Sequence, residues 1–117
     1  MSGDDLKKRT KKFALDIIEL AQAIPGTQLG DIIRKQIIRS GTSVGANYRA
    51  VCRARSKAEF ISKLGVVIEE ADESAYWLEI IEDTQLLSSQ RIMKLHKEAE
   101  EIVAIMISSR ITANNNK

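Results

Sequence analysis

The sequence predicts an all-α protein built as an antiparallel up-down-up-down four-helix bundle. Apolar residues recur at spacings of three and four through four long segments, the signature of helices with one buried face. The breaks between those segments are short, and short connections between long helices make sequence neighbours antiparallel. The composition agrees: Ile, Leu, Val and Ala dominate, with one Pro, two Phe, two Tyr and one Trp. At 117 residues the chain is a single domain, residues 1–117, long enough for a hydrophobic core.

The first helix is expected over about 5–24, with Phe13, Ile17, Leu20, Ala21 and Ile24 on one face. Pro25-Gly26 ends it, because proline lacks a donor and disfavours helix in the residue before it. Thr27 is placed to cap the second helix, about 28–53, whose seam reads Leu29, Ile33, Ile37, Ser40, Val44, Tyr48 and Val51. Gly41 and Gly45 lie inside that helix, each costing about 1 kcal/mol against Ala, which packing must recover.

The third helix, about 57–84, opens on the capping-box pattern Ser56 and Glu59. Its seam is Phe60, Leu64, Val67, Ala71, Ser74, Leu78 and Ile81. The fourth, about 89–112, starts at Ser88 or Ser89 and carries Ile92, Leu95, Ala99, Ile102, Met106 and Ser109. Val103, Ile107 and Ile111 form a second stripe beside that seam, so this helix is expected to touch more than its own bundle. The tail Asn114 to Lys117 is expected to fray. Helices two to four each span roughly 35–40 Å at 1.5 Å per residue.

Net charge is only +2, so its distribution matters more than its sum. Antiparallel packing brings the start of the first helix, the second turn of the bundle and the end of the fourth helix to one end. Lys7, Lys8, Arg9, Lys11, Lys12, Arg49, Arg53, Arg55, Lys57, Lys63, Arg110 and Lys117 collect there, opposed by Asp4, Asp5 and Glu59. Glu69, Glu70, Asp72, Glu73, Glu79, Glu82 and Asp83 fill the middle and far end of the third helix, and Asp72 is expected beside Arg39. Such a basic tip attracts phosphate, and the same charges also read as a solvated surface that keeps the chain soluble.

The segments Arg39-Ser-Gly-Thr-Ser-Val-Gly-Ala-Asn-Tyr-Arg49, Arg53-Ala-Arg-Ser-Lys-Ala-Glu-Phe60 and Glu69-Glu-Ala-Asp-Glu-Ser-Ala-Tyr-Trp-Leu-Glu-Ile-Ile81 carry a resemblance. In this order they resemble the small bacterial four-helix-bundle proteins named for 23S rRNA intervening sequences, over about residues 13–87. Many members read Ile-Ala-Glu-Gly after the Asn of the second helix, where this chain has Tyr48-Arg49-Ala50-Val51. The resemblance implies a left-handed bundle, a ring-shaped homopentamer, and a relation to accessory proteins of diversity-generating retroelements, which bind nucleic acid and a reverse transcriptase. The implied partners are therefore further copies of the chain, RNA or DNA, and a protein such as a reverse transcriptase. The alternative to nucleic-acid binding is an oligomeric scaffold that docks such a protein without touching nucleic acid.

Lys8, Lys11, Lys12, Arg49, Arg53, Arg55, Lys57 and Lys63 are the candidate nucleic-acid contacts. Arg49 and Arg53 share a helix face and either grip phosphate or pair across a subunit interface with the Glu69–Glu73 cluster. Gly41, Gly45, Asn47, Trp77, Val103 and Ile107 are candidates for helix packing or oligomer contacts. Asn47 is expected to bond Glu70, Glu73 or the first helix. Tyr76 and Trp77, being adjacent, are expected to diverge, one into the bundle and one into an interface.

One histidine, His96, and one cysteine, Cys52, are too few for a catalytic triad or a structural zinc site. No Glu-x-x-His or glycine-rich phosphate loop is present. No catalytic residue, metal, cofactor or small-molecule substrate is expected. With no disulfide, signal peptide or membrane span to read, the expected location is the cytoplasm.

Overall fold

The computed structural model describes residues 2–116, arranged as four helices: α1 (Gly3–Gln22), α2 (Gln28–Cys52), α3 (Lys57–Asp83) and α4 (Gln90–Asn115). Each begins at a side-chain cap. Ser2 Oγ accepts from Asp5 N–H (3.2 Å) while Ser2 N–H donates to the Asp5 carboxylate (3.3 Å), so a capping box starts α1 two residues before the expected position. Thr27 Oγ1 accepts from Gly30 N–H (2.9 Å), Ser56 Oγ from Glu59 N–H (3.0 Å) and Ser89 Oγ from Arg91 N–H (3.1 Å).

The ends are as specific as the starts. No basic residue lies in the last turn of α1, so its terminal carbonyls find a donor on the next helix. Arg34 donates to the carbonyls of Ala21 (3.3 Å), Ile24 (2.5 Å) and Pro25 (2.9 Å) and pairs with Asp31 (2.7 Å). A Schellman turn closes α3: Leu86 N–H reaches Ile81 O (3.2 Å) and Gln85 N–H reaches Glu82 O (3.1 Å), with Gln85 left-handed at φ 57°. At its own end, α4 continues through Asn115, where the sequence suggested fraying, and Lys57 donates to the Asn116 carbonyl. Lys117, expected in the basic tip and in the frayed tail, lies outside the described residues.

Cross-helix contacts give the directions. Along α1, Thr10, Ile17 and Ala21 meet Gly45, Gly41 and Arg34 of α2 in reverse order. Arg9 meets Glu98 and Glu101 of α4, whereas Glu19 meets Arg91. Between α3 and α4, Lys57 meets Asn116 and Glu79 meets His96. The body is elongated, 51 × 20 × 19 Å, with α1 and α4 the most sparsely packed neighbours.

The core follows the seams read from the sequence, with Phe13, Ile17, Ile37, Leu64, Leu78 and Ile102 among its buried side chains. Three positions differ, among them Ser109, which is only half-buried near the end of α4. Leu29 is 47% exposed, and Gly30 takes the buried place because a Cβ there would fall 2.1 Å from the Pro25 carbonyl oxygen. Phe60 is only half-buried at the open first turn of α3. The two buried polar seam positions pair with each other: Ser40 and Ser74 hydroxyls lie 3.0 Å apart in the core, and among the described residues no buried side-chain polar atom lacks a partner. No helix among those residues is long and apolar enough to cross a membrane.

Candidate nucleic-acid interface

The basic residues do not form a uniform tip. Lys7 and Lys11 share one face of α1, four residues apart, and Arg49 in the last turn of α2 lies beside Arg53, the residue that caps that helix. Both pairs line one groove with Arg55 and Lys63 at the start of α3. Its volume is about 590 Å³, and Glu59 is its one acidic lining residue. The rest of the lining is small: Ala14, Thr42, Gly45, Ala46 and Ala50.

Gly45 lets α1 and α2 meet at the floor. A Cβ there would lie 3.3 Å from the backbone of Thr10, so α1 and α2 approach closely beneath the groove. One turn away, a Cβ on Gly41 would lie 2.8 Å from Ile17 Cγ2. Among the described residues, Lys7, Lys11, Arg49 and Arg53 form no ion pair, while Glu59 is the partner of both Arg55 (3.9 Å) and Lys63 (3.8 Å).

Other residues assigned to the tip face elsewhere. Arg9, two residues from Lys7, points to α4, where Glu98 (2.6 Å) and Glu101 (2.9 Å) neutralise it. The hydrogen bonds that Arg9 donates to Glu98, with both carboxylates nearby, raise the Arg9 pKa above its usual value. Lys12 pairs with Asp16 (2.9 Å) beside a second, mixed-charge hollow of about 370 Å³ between α1 and α4. Lys57 is tied to the Asn116 carbonyl, and Lys8 is exposed outside the groove lining. Lys7, omitted from the candidate contacts, belongs to the groove; its signal was the i, i+4 spacing from Lys11.

Several expected partners are replaced by nearer ones. Arg39 pairs with Glu70 (3.3 Å) and Glu73, not with Asp72, which is exposed on the outer face of α3. Asn47 donates to Ser43 O of its own helix (2.8 Å) and reaches neither α1 nor α3. Trp77 is half-buried and donates to Glu73 (2.9 Å). The Tyr76 ring is exposed yet touches Trp77 edge to face, with centroids 5.1 Å apart, so the two do not diverge. Val103 and Ile107 are half-buried and Ile111 is exposed along α4. His96 sits between Glu79 (2.9 Å) and Glu100 (3.2 Å). Cys52 is exposed beside the Tyr48 hydroxyl; burial first, and then the Cys52 hydrogen bond, push the Tyr48 phenol up to about 12.

Fold and surface together define a four-helix bundle with one lateral cationic groove. The chain belongs to the 23S rRNA-intervening sequence protein family, which it matches over residues 5–108. It is also similar to a solved structure from Bacteroides thetaiotaomicron, described as a protein of unknown function from the S23 ribosomal protein family. The two are 36% identical, with 89% of this chain and 96% of that one covered and a TM-score of 0.82. No curated protein matches the chain.

Proposed function

We propose that this protein is a non-enzymatic homopentamer of the cytoplasm whose lateral groove binds nucleic acid. The observation that carries the reading is the convergence of Lys7, Lys11, Arg49, Arg53, Arg55 and Lys63 on one groove with a single opposing carboxylate. Cations held at fixed spacing on helix flanks neutralise backbone phosphates and release counterions. Copies of the groove around a ring add avidity to weak single contacts. Ile111, together with half-buried Val103 and Ile107, leaves an apolar stripe on α4 that suits contact between subunits.

The test is electrophoretic mobility of structured RNA and of duplex DNA at two salt concentrations, with Arg49→Glu/Arg53→Glu beside the wild type. Binding at low salt that weakens with salt and with charge reversal is expected. No shift at low salt, or a shift indifferent to the reversal, overturns the nucleic-acid reading. Sedimentation measures the pentamer separately, and a monomer overturns it. The alternative is an oligomeric scaffold docking a protein such as a reverse transcriptase. Exposed Tyr76 and Met93 favour it, since large apolar side chains on a surface often anchor protein contacts.

A further inference from the structure

Resting on that reading, we infer that Glu59 is a built-in counter-ion of the groove, which occupies the place of a phosphate and holds down affinity for a phosphodiester backbone. In a capping box the acidic side chain at the third helical position returns to the N-cap N–H. At the start of α1, Asp5 does this, accepting from Ser2 N–H at 3.3 Å. At the start of α3 only half of the motif forms. Ser56 Oγ accepts from Glu59 N–H at 3.0 Å, but the Glu59 carboxylate turns to Arg55 Nε (3.9 Å) and Lys63 Nζ (3.8 Å).

Those separations exceed hydrogen-bond length, so the carboxylate stands between two cations without being fastened to either. A phosphate oxygen reaching Arg55 or Lys63 at ordinary distance forms the stronger, charge-assisted bond. It also meets Glu59 as a like charge in the same groove. Among the described residues no aromatic side chain lines the groove, and its six cations address the charge of the phosphodiester.

The experiment is fluorescence anisotropy with a labelled mixed-sequence RNA and a duplex DNA of the same sequence, over a salt series. Wild type is compared with Glu59→Gln and Glu82→Gln. Gln keeps the capping-box side-chain type at position 59, and Glu82 lies on the α3–α4 surface away from the groove. Glu59→Gln is expected to bind about three- to tenfold tighter at low salt, the effect of one charge a few ångströms from phosphate near a protein surface. Its log K against log salt steepens by roughly one to two phosphate contacts. Glu82→Gln, with the same change in net charge, stays close to wild type.

Wild-type binding with Glu59→Gln unchanged or weaker overturns the Glu59 inference and leaves the nucleic-acid reading standing. Equal tightening by Glu82→Gln also overturns it. Binding by Glu59→Gln alone supports Glu59 as the counter-ion and overturns binding by the wild-type chain. No binding by either at low salt overturns both. Circular dichroism checks the fold, and Glu59→Ala carries the same expected direction should Gln disturb the helix start.

Discussion

Gly41 of α2 lies so close to Ile17 of α1 that a Cβ at position 41 would sit 2.8 Å from Ile17 Cγ2. Ile17 is fully buried and has no room to give. Gly41→Ala should therefore destabilise the protein despite its better helix propensity, by about 1–3 kcal/mol as overpacking does. Gly41→Leu should be worse. Urea midpoints measure both, and an unchanged midpoint for Gly41→Ala refutes the close approach.

Arg34 gathers three carbonyls at the end of α1 while its own helix continues past. Arg34→Met keeps much of the stem but leaves those carbonyls to water. A loss of about 1–3 kcal/mol is expected, since charged hydrogen bonds to partly buried acceptors are removed. Thermal melts of the two proteins decide it.

Gln85 holds a left-handed conformation in the α3 Schellman turn, at φ 57°. Glycine adopts that conformation without the Cβ clash. Gln85→Gly is expected to raise stability by about 1 kcal/mol, the lower end of the left-handed penalty. A lower melting temperature contradicts this.

The raised Tyr48 phenol gives an alkaline signature. Its folded pKa of about 12 lies above the ordinary tyrosine value, so the folded state holds the proton more tightly. That contribution is complete below the unfolded pKa of about 10 and is lost as pH rises through the folded value. Between pH 10 and 12, wild type should lose stability faster than Tyr48→Phe. Parallel losses mean Tyr48 carries no such linkage.

The seams were legible because helical periodicity depends only on spacing. Phe13 to Ile24 and Ile92 to Met106 fall where the pattern puts them. Leu29 was misread because the backbone of the Pro25 turn, not a periodic pattern, decides what fits at Gly30. Pairing partners were less legible. The axial level of Arg39 was right, but helix rotation decides which carboxylate faces it: Glu70 and Glu73 flank that level on the side of α2, while Asp72 between them points outward. Asn47 shows local competition: its own helix offers the Ser43 carbonyl at no entropic cost of bringing two helices into line. In the groove, the clustering of Arg49, Arg53, Arg55 and Lys63 could be anticipated from topology. The removal of Arg9 from it depends on helix rotation, since a residue two positions from Lys7 points almost oppositely.

The opposed settings of Arg9 and of Lys7 with Lys11 make α1 an electrical watershed. On one flank its charge is cancelled by Glu98 and Glu101, and on the other it is left open. The attraction felt by an approaching anion therefore has a compass bearing around the long axis as well as a strength. Under the proposed function, a polyanion would be turned toward one azimuth before any contact forms, so orientation would be selected during diffusion.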